Sequence, residues 1–563
     1  MSLNPLPFNI FEASWEVANK VGGIYTVLAS KAPSLQKRTG GKLFFIGPDL
    51  NQDTDAFIPD DDTILQPWLL HARAAFHLPV RVGRWNIPSR PLTLLVDFRP
   101  LYHCKDDLYF RIWNDFRIDS LNAPPDYDQA CLFAIATAQV VQDVIRFARF
   151  EVARTLVHFN EWTLAMGLLY LRSASPNLPT LFTTHATVVG RALPDNNFDP
   201  DTAARNVYHK LQLERAAATH AHCFTAVSEI TARECTRFLG VTPHFVTPNG
   251  FDPAFVPPPD DLRLRRTHAR ARILAVASAL YGQPFSEHTP LILSSGRYEY
   301  INKGLDLLTN ALTRLRDFPK PAVAVIAVPA DATAPRADLL HALDVRSPLP
   351  LDQPILSHWL RHPDNDPILN YLHQLHFDPL NSALKIIFVP TYLDGHDGIF
   401  NLAYYDFLPA FDLSLFPSFY EPWGYTPLES AAFGIPTLTS DLAGFGLWAH
   451  LNLPLRSASA SASSESSAFG SGSSPSEDLA SLSASFAHGV AVLDRTHQPY
   501  HDAARNLADL VLDFNNLTPP QRALAAQHAR DLAASAHWSS FISHYLDAFR
   551  FALLQAQNGD PTP

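Results

Sequence analysis

The chain has 563 residues, 47% of them hydrophobic and 17% charged, with 43 Lys and Arg against 55 Asp and Glu for a net charge of −12. That length exceeds one ordinary hydrophobic core, so two large domains are expected. The acidic balance argues against a general nucleic-acid or anionic-membrane surface, while leaving room for a local basic pocket that takes phosphates.

Residue inventories exclude more. Cys104, Cys131, Cys223 and Cys235 are too few and too scattered for a disulfide framework, and the sequence has no Cys-x2-Cys pair to suggest structural zinc. The 24 histidines, His220, His222, His373 and His376 among them, form no array with ligand spacing. The loop Asp394 to Gly398 has some oxygen ligands but not the rest of a calcium loop, so no metal is expected. Met1 to Ile10 has no basic segment leading into an apolar core, and the longest apolar runs, such as Ala322 to Pro329, have strand length. A cytoplasmic protein is expected.

Short apolar runs alternate with amphipathic stretches along the chain, the pattern of parallel sheets covered by helices. Lys42 to Gly47, Leu92 to Val96, Thr155 to Phe159, Thr180 to Thr184, Phe224 to Val227 and Phe245 to Thr247 read as strands. Helices are expected over Tyr127 to Ala148 and about Asn206 to Thr219. Four prolines within Pro253 to Pro259 suggest an inter-domain linker. A second series follows, with strands Leu291 to Ser295, Ala322 to Val328, Ile386 to Val389 and Leu413 to Pro417. Ser457 to Ser485, rich in serine and alanine, reads as a disordered loop. Order returns with a strand at Gly489 to Leu493 and helical segments over Tyr500 to Gln557, where Trp538, Tyr545, Phe549 and Leu553 share a face. The expected fold class is α/β, two doubly wound domains facing a cleft. Their bounds are residues 1–252 and 253–535, followed by a terminal helical segment, 536–563.

The chemistry-bearing motifs follow strands. Lys20-Val-Gly22-Gly23 lies between a strand and a helix, where backbone N–H groups can approach a phosphate or a sugar, although paired glycines mark any tight turn. His185 ends the run Thr180 to Thr184 in Thr-Thr-His-Ala-Thr-Val-Val-Gly-Arg191, placed either in a core or at a ligand. Arg297 and Lys303, six apart in Gly-Arg-Tyr-Glu-Tyr-Ile-Asn-Lys-Gly, follow the strand Leu291 to Ser295; they can converge on a diphosphate or remain solvated loop cations. Phe416 to Gly446 packs strand, turn, helix and strand into about thirty residues, with Glu421 and Glu429 eight apart. Its turn is Trp423-Gly424-Tyr425-Thr426-Pro427, with Thr426 suited to N-cap and Pro427 to the first helical position, while Gly434 suits the helix end. That arrangement describes a phosphate cradle with a carboxylate on each side.

Taken as a whole string, Glu421-Pro-Trp-Gly-Tyr-Thr-Pro with Gly434-Ile-Pro resembles the donor site of retaining GT-B glycosyltransferases, and more narrowly the glycogen synthases of animal/fungal type. The motifs at Lys20, His185 and Arg297 resemble other segments of that family, in the family's order, in patches from Phe8 to about Leu553. The resemblance implies a GT-B fold whose C-terminal helix crosses back to the first, acceptor-side domain, the second being the nucleotide-sugar domain. It implies that Arg297 and Lys303 bind the donor diphosphate, that Gly23 gives an N–H to phosphate, and that His185 contacts the transferred glucose with Arg191 close by. Lys20, Gly22, Trp423, Gly424, Tyr425, Thr426 and Glu429 complete the candidate donor set, and Tyr404 matches a position that stacks on uracil. His158-Phe-Asn160-Glu161-Trp162 resembles a His-Glu-Trp segment but departs at Asn160, leaving Glu161 as an acceptor-side candidate.

The reaction implied is transfer of glucose from UDP-glucose to the non-reducing 4-OH of an α-1,4-glucan such as glycogen, with retention. Glu421 would stabilise an oxocarbenium-like carbon and Glu429 would bind ribose hydroxyls. Double displacement and front-side attack both give retention, and the resemblance favours the second. The cofactor expectation is none, and the partners are donor, glucan and further copies in a homo-oligomer. Family members carry an arginine-rich helix that binds glucose 6-phosphate; here Thr518 to Trp538 has only Arg522 and Arg530, so strong activation is not expected. A related enzyme with another donor or acceptor, or a non-catalytic glucan-binding protein, remain as alternatives.

Overall fold

The computed structural model describes residues 8–39, 42–51, 55–60, 63–196, 198–461 and 486–558. The chain divides into two compact units, Met1–Asp252 with Ala536–Pro563, and Pro253–Ser535.

The first unit is built on β1 (Asn9–Ala13), β2 (Leu43–Pro48), β3 (Phe57–Pro59), β4 (Val80–Trp85), β5 (Leu92–Val96), β6 (Thr155–Asn160), β7 (Thr180–Thr184), β8 (Cys223–Ala226) and β9 (Phe245–Val246). They form one sheet in the order β3-β4-β5-β2-β1-β6-β7-β8-β9. From β5 to β9 all neighbours run parallel. Every residue of β1, β2, β5, β6, β7 and β8 is buried, as parallel strands covered on both faces must be. The edge pair β3 and β4 departs from the expected all-parallel sheet and runs antiparallel. The β4 sequence Val-Arg-Val-Gly-Arg-Trp is only partly buried, which an antiparallel edge tolerates.

The long helix runs Pro125–Ala148 and is apolar enough to cross a membrane, yet it is mostly buried as the core helix of this unit. The helix Trp538–Asn558 belongs to the same unit. Its Trp538 Nε1 donates to Ser30 Oγ at 2.8 Å, Tyr545 Oη donates to the Thr247 carbonyl at 3.1 Å, and Phe549 packs edge-on to His158.

The second unit contains β10 (Leu291–Ser295), β11 (Ala322–Ala327), β12 (Ala332–Pro335), β13 (His358–Leu360), β14 (Leu384–Val389), β15 (Leu413–Leu415), β16 (Thr437–Ser440) and β17 (Val490–Leu493). Six of them make a wholly parallel sheet, β14-β11-β10-β15-β16-β17, while β12 and β13 pair antiparallel by themselves.

Across their parallel strands, both main sheets reverse their strand order once. The reversal lies between β1 and β6 in the first unit and between β10 and β15 in the second. Loops at the carboxyl ends of such strands are where open α/β sheets hold ligands.

Two local expectations change and a third gains detail. The proline-rich stretch is not wholly irregular: Pro253–Phe255 is a 3-10 turn and Pro259 opens a helix to Tyr281, since proline fits a first helical turn. Residues 457–461 end the helix Gly444–Ser461, because serine and alanine extend an existing helix at little cost. The rest of the serine-rich loop, 462–485, lies outside the described residues. The C-terminal helical stretch is three helices, Tyr500–Asn516, Pro519–Ser535 and Trp538–Asn558.

Candidate active site

The candidate residues fall into two sets, one at the strand reversal of each unit. In the first unit β1 leads through Ser14 to Val21 into the helix Gly23–Thr39. The Glu16 carboxylate turns back on this loop, and its Oε2 accepts the N–H of Gly22 at 2.7 Å and of Tyr25 at 2.9 Å. A Cβ on Gly22 would stand 3.0 Å from Glu16 Oε1, so the glycine makes room for the chain's own anion. At Gly23 a Cβ would meet nothing within 4 Å. Lys20 is exposed, its Nζ 5.9 Å above the Tyr25 ring.

The ends of β6 and β7 are joined by Glu161. This residue takes a left-handed φ of +74°, costly for a non-glycine, and is buried. Its Oε1 accepts the N–H groups of His185 at 3.0 Å and Ala186 at 2.9 Å. Burial raises its pKa, against the pull of nearby Arg191. His185 is buried, and its Nε2 lies 2.9 Å from Asn160 Oδ1. Burial, reinforced by Lys31 and His158, pushes the imidazole down to about 3 and keeps it neutral.

Arg191 sits on the short helix Val188–Ala192, capped by Thr187, whose Oγ1 accepts the Gly190 N–H at 3.0 Å. Trp15, Glu16, Glu161, Trp162, Arg191 and Lys210 are among the residues lining a cavity of about 410 Å³, a size suited to a small ligand.

In the second unit the loop after β10 and the loop after β15 are laced together. The Asn302 carbonyl accepts the N–H groups of Phe419 at 2.8 Å and Tyr420 at 3.0 Å. Gly304, at φ +66°, packs so tightly on the Pro417 carbonyl that a Cβ would collide with it. Arg495 Nη1 donates to that same carbonyl at 2.7 Å. Lys303 Nζ donates to Glu421 Oε2, both side chains about one-seventh exposed. Arg297 is more open and pairs with Glu299 at 2.9 Å.

The helix after Glu421 is Tyr425–Ala432, so Thr426 is not its N-cap and Pro427 is not its first residue. Gly424, at φ +111°, makes the turn and caps the helix two residues earlier than a Thr426 cap would. Pro427 still falls within the first turn, where its missing N–H costs nothing. Gly434 closes the helix, with its N–H on the Ala431 carbonyl at 2.9 Å. Trp423 is buried against Phe445 and Trp448. Glu429 is buried too and receives the Tyr405 hydroxyl at 2.8 Å; burial lifts its carboxyl to about 7 despite that bond. Tyr404 shares a hydrogen bond of 2.9 Å with Ser295, at the end of β10.

Lys303 with Glu421, and His185 with Glu161, are therefore brought together as sets within their units. Reading motifs along the chain gave no role to Glu16, Asn160, Glu299 or Tyr405. Asn160 and Glu299 lay inside motif segments and Tyr405 beside Tyr404, while Glu16 had no local signal. Asp441, Asp494 and His497 cluster with the spacing of metal ligands. Their carboxylates already hold a turn, accepting the N–H groups of Arg495 at 2.8 Å and His497 at 2.9 Å. All four cysteines are free thiols.

A family model described as glycogen synthase matches residues 12–349 and 342–456. A glycogen [starch] synthase of Neurospora crassa is 28% identical over 97% of this chain and 84% of its own length. One from Caenorhabditis elegans is 27% identical over 97% of this chain and 88% of its own. Among solved structures, a UDP-forming α,α-trehalose-phosphate synthase of Burkholderia vietnamiensis superposes with a TM-score of 0.53 at 13% identity, covering 98% of this chain and 99% of that one. The catalytic domain of starch synthase IV from Arabidopsis thaliana, bound to ADP and acarbose, gives 0.52 at 13% identity over 97% and 99%. These likenesses show the GT-B fold.

Proposed function

The chain belongs to the glycogen synthase family, whose members are glucosyltransferases, and from that premise we propose that it transfers glucose from UDP-glucose to the non-reducing 4-OH of an α-1,4-glucan with retention. The observation that carries the reading is the Lys303–Glu421 pair at the strand reversal of the second unit. The reaction expels a diphosphate, which needs positive charge, from a carbon that becomes oxocarbenium-like, which needs negative charge nearby. One cation and one carboxylate already in hydrogen-bond contact answer both needs.

Lys303 and Arg297 bind the diphosphate, exchanging Glu421 and Glu299 for phosphate oxygens. Arg191 adds a third cation, so the step is assigned no metal ion. Glu421 then faces the anomeric carbon, and Glu429 accepts from the ribose hydroxyls while Tyr405 fixes its other side. His185, neutral and buried, contacts the glucose. Attack comes from the face the diphosphate leaves, and a leaving-phosphate oxygen takes the acceptor proton.

The test is UDP or ADP release from UDP-glucose and ADP-glucose, each with and without glycogen, for the native enzyme and Glu421→Ala. Glycogen-dependent UDP release, lost in the variant, is expected, with NMR showing the new linkage as α. Release from ADP-glucose alone would move the donor assignment. Glycogen binding without turnover on either donor would favour a glucan-binding protein.

A further inference from the structure

Beneath His185 lies a polar network that the proposed chemistry does not use. Glu12 and Lys31 are both essentially inaccessible, and Lys31 Nζ donates to Glu12 Oε1 at 2.6 Å. His158 Nδ1 stands 3.3 Å from the same oxygen. Burial works against the charge on Glu12, but Lys31 and His158 outweigh it and hold the carboxyl at about 2, so the pair is ionic. Asn160, 1% exposed, bridges this pair to His185. Its Nδ2 lies 3.1 Å from the Ala13 carbonyl and 3.4 Å from Glu12 Oε1, and its Oδ1 lies 2.9 Å from His185 Nε2.

The amide has one sensible orientation. Ala13 O and the Glu12 carboxylate can only accept, so the nitrogen of Asn160 must face them and its oxygen must face the ring. A neutral imidazole that meets an amide oxygen through Nε2 carries its proton there.

We propose that Asn160 is a positioning residue: anchored by the Ala13 carbonyl and by Glu12, itself paired with Lys31, it locks His185 as the Nε2–H tautomer and leaves Nδ1 as the acceptor for a hydroxyl of the transferred hexose. The hexose contact rests on the function proposed above; the tautomer does not. An ionisable side chain at position 160 would compete with His185 for the proton, whereas an amide cannot.

Two-bond 15N–1H NMR of the full chain labelled on histidine nitrogen, without ligand, reads the tautomer directly, with His185→Gln identifying the signal. A neutral ring protonated on Nε2 throughout pH 5.5 to 8 is expected; an Nδ1–H ring or an imidazolium would overturn the lock. Asn160→Ala should give a mixture of tautomers and lower kcat about tenfold, the worth of one hydrogen bond. The double variant with His185→Gln should fall no lower than His185→Gln alone. An equal loss in that background would show Asn160 acting elsewhere and overturn the positioning role. Full turnover by His185→Gln would overturn the hexose contact, while the nitrogen shifts judge the lock by themselves.

Discussion

Two lysine–glutamate pairs, Lys31–Glu12 in the first unit and Lys303–Glu421 in the second, use the same chemistry in different surroundings. The first pair is sealed at 1% and 0% exposure beneath the His185 network, and the second stands at 14% and 13% in the loops after β10 and β15. Burial decides what such a pair can do. A sealed pair cannot exchange partners, because either charge left alone would carry the full desolvation penalty. A pair near solvent can part when another ion arrives. The first is therefore architecture, and the second is the pair that the proposed donor diphosphate would part.

Exchanging the losses of the two pairs tests this division. Lys31→Met leaves the Glu12 charge uncompensated and should cost about 3–5 kcal/mol of stability, read as a lower urea midpoint; a shift within error would break the contrast. Lys303→Ala should do the reverse. Stability changes by no more than about 1 kcal/mol, because its partner remains near water. Turnover falls tenfold to a hundredfold or more, the equivalent of about 1.5–3 kcal/mol. Full activity in that variant would remove Lys303 from the donor site.

Glu429 sharpens the comparison through pH. Its carboxyl is lifted by burial to about 7, so it protonates near neutrality; in the role proposed above it then loses an acceptor for ribose hydroxyls. Donor KM should rise severalfold as pH falls through about 7, and Glu429→Gln should flatten that dependence. The sign for stability is opposite. A carboxyl raised from 4.5 to about 7 gives its stabilising contribution below the unfolded value and loses it as pH rises through 7. Glu429→Gln should therefore be more stable than the native chain above pH 7, measured as Tm across pH.

The smallest effect concerns regulation. Arg522 donates to the carbonyls of Leu517 and Asn515 and stacks on Phe514, and Arg530 donates to Gln527. Guanidinium groups engaged in this way are poor recruits for a sugar phosphate. Millimolar glucose 6-phosphate should change the rate less than twofold, and a large activation would show that these contacts yield.

What could be read along the chain was whatever a few consecutive residues determine. The strand–loop–helix passages at Arg297, Lys303 and Glu421 are of this kind, and so is Gly434 at a helix end. The helix start near Thr426 was misplaced by two residues because the turn at Gly424 competes with a good capping residue, and the positive φ of glycine wins. The remainder depends on partners far apart in sequence. Asn160 meets Glu12 across 148 positions and Lys303 meets Glu421 across 118, separations that strand order sets and spacing cannot show. Asn160 looked like a departure from the family segment until β1 and β6 placed it between a buried ion pair and His185. The Glu16 carboxylate on the glycine loop is nearer, six residues from Gly22, but a turn that folds back on itself leaves no periodic trace.

The helix Trp538–Asn558 has a consequence for biosynthesis. Tyr545 lies over Lys31, its ring centroid 4.4 Å from Nζ, and Phe549 covers His158. A ribosome makes all of Pro253–Ser535 before it makes that helix, so the second unit can fold while the first still lacks its lid. Until then Lys31 and His158 lack the Tyr545 and Phe549 rings that cover them, and the apolar bed of the helix is uncovered. The first unit to emerge is thus the last to be finished, and a stalled or truncated nascent chain would display that bed to chaperones.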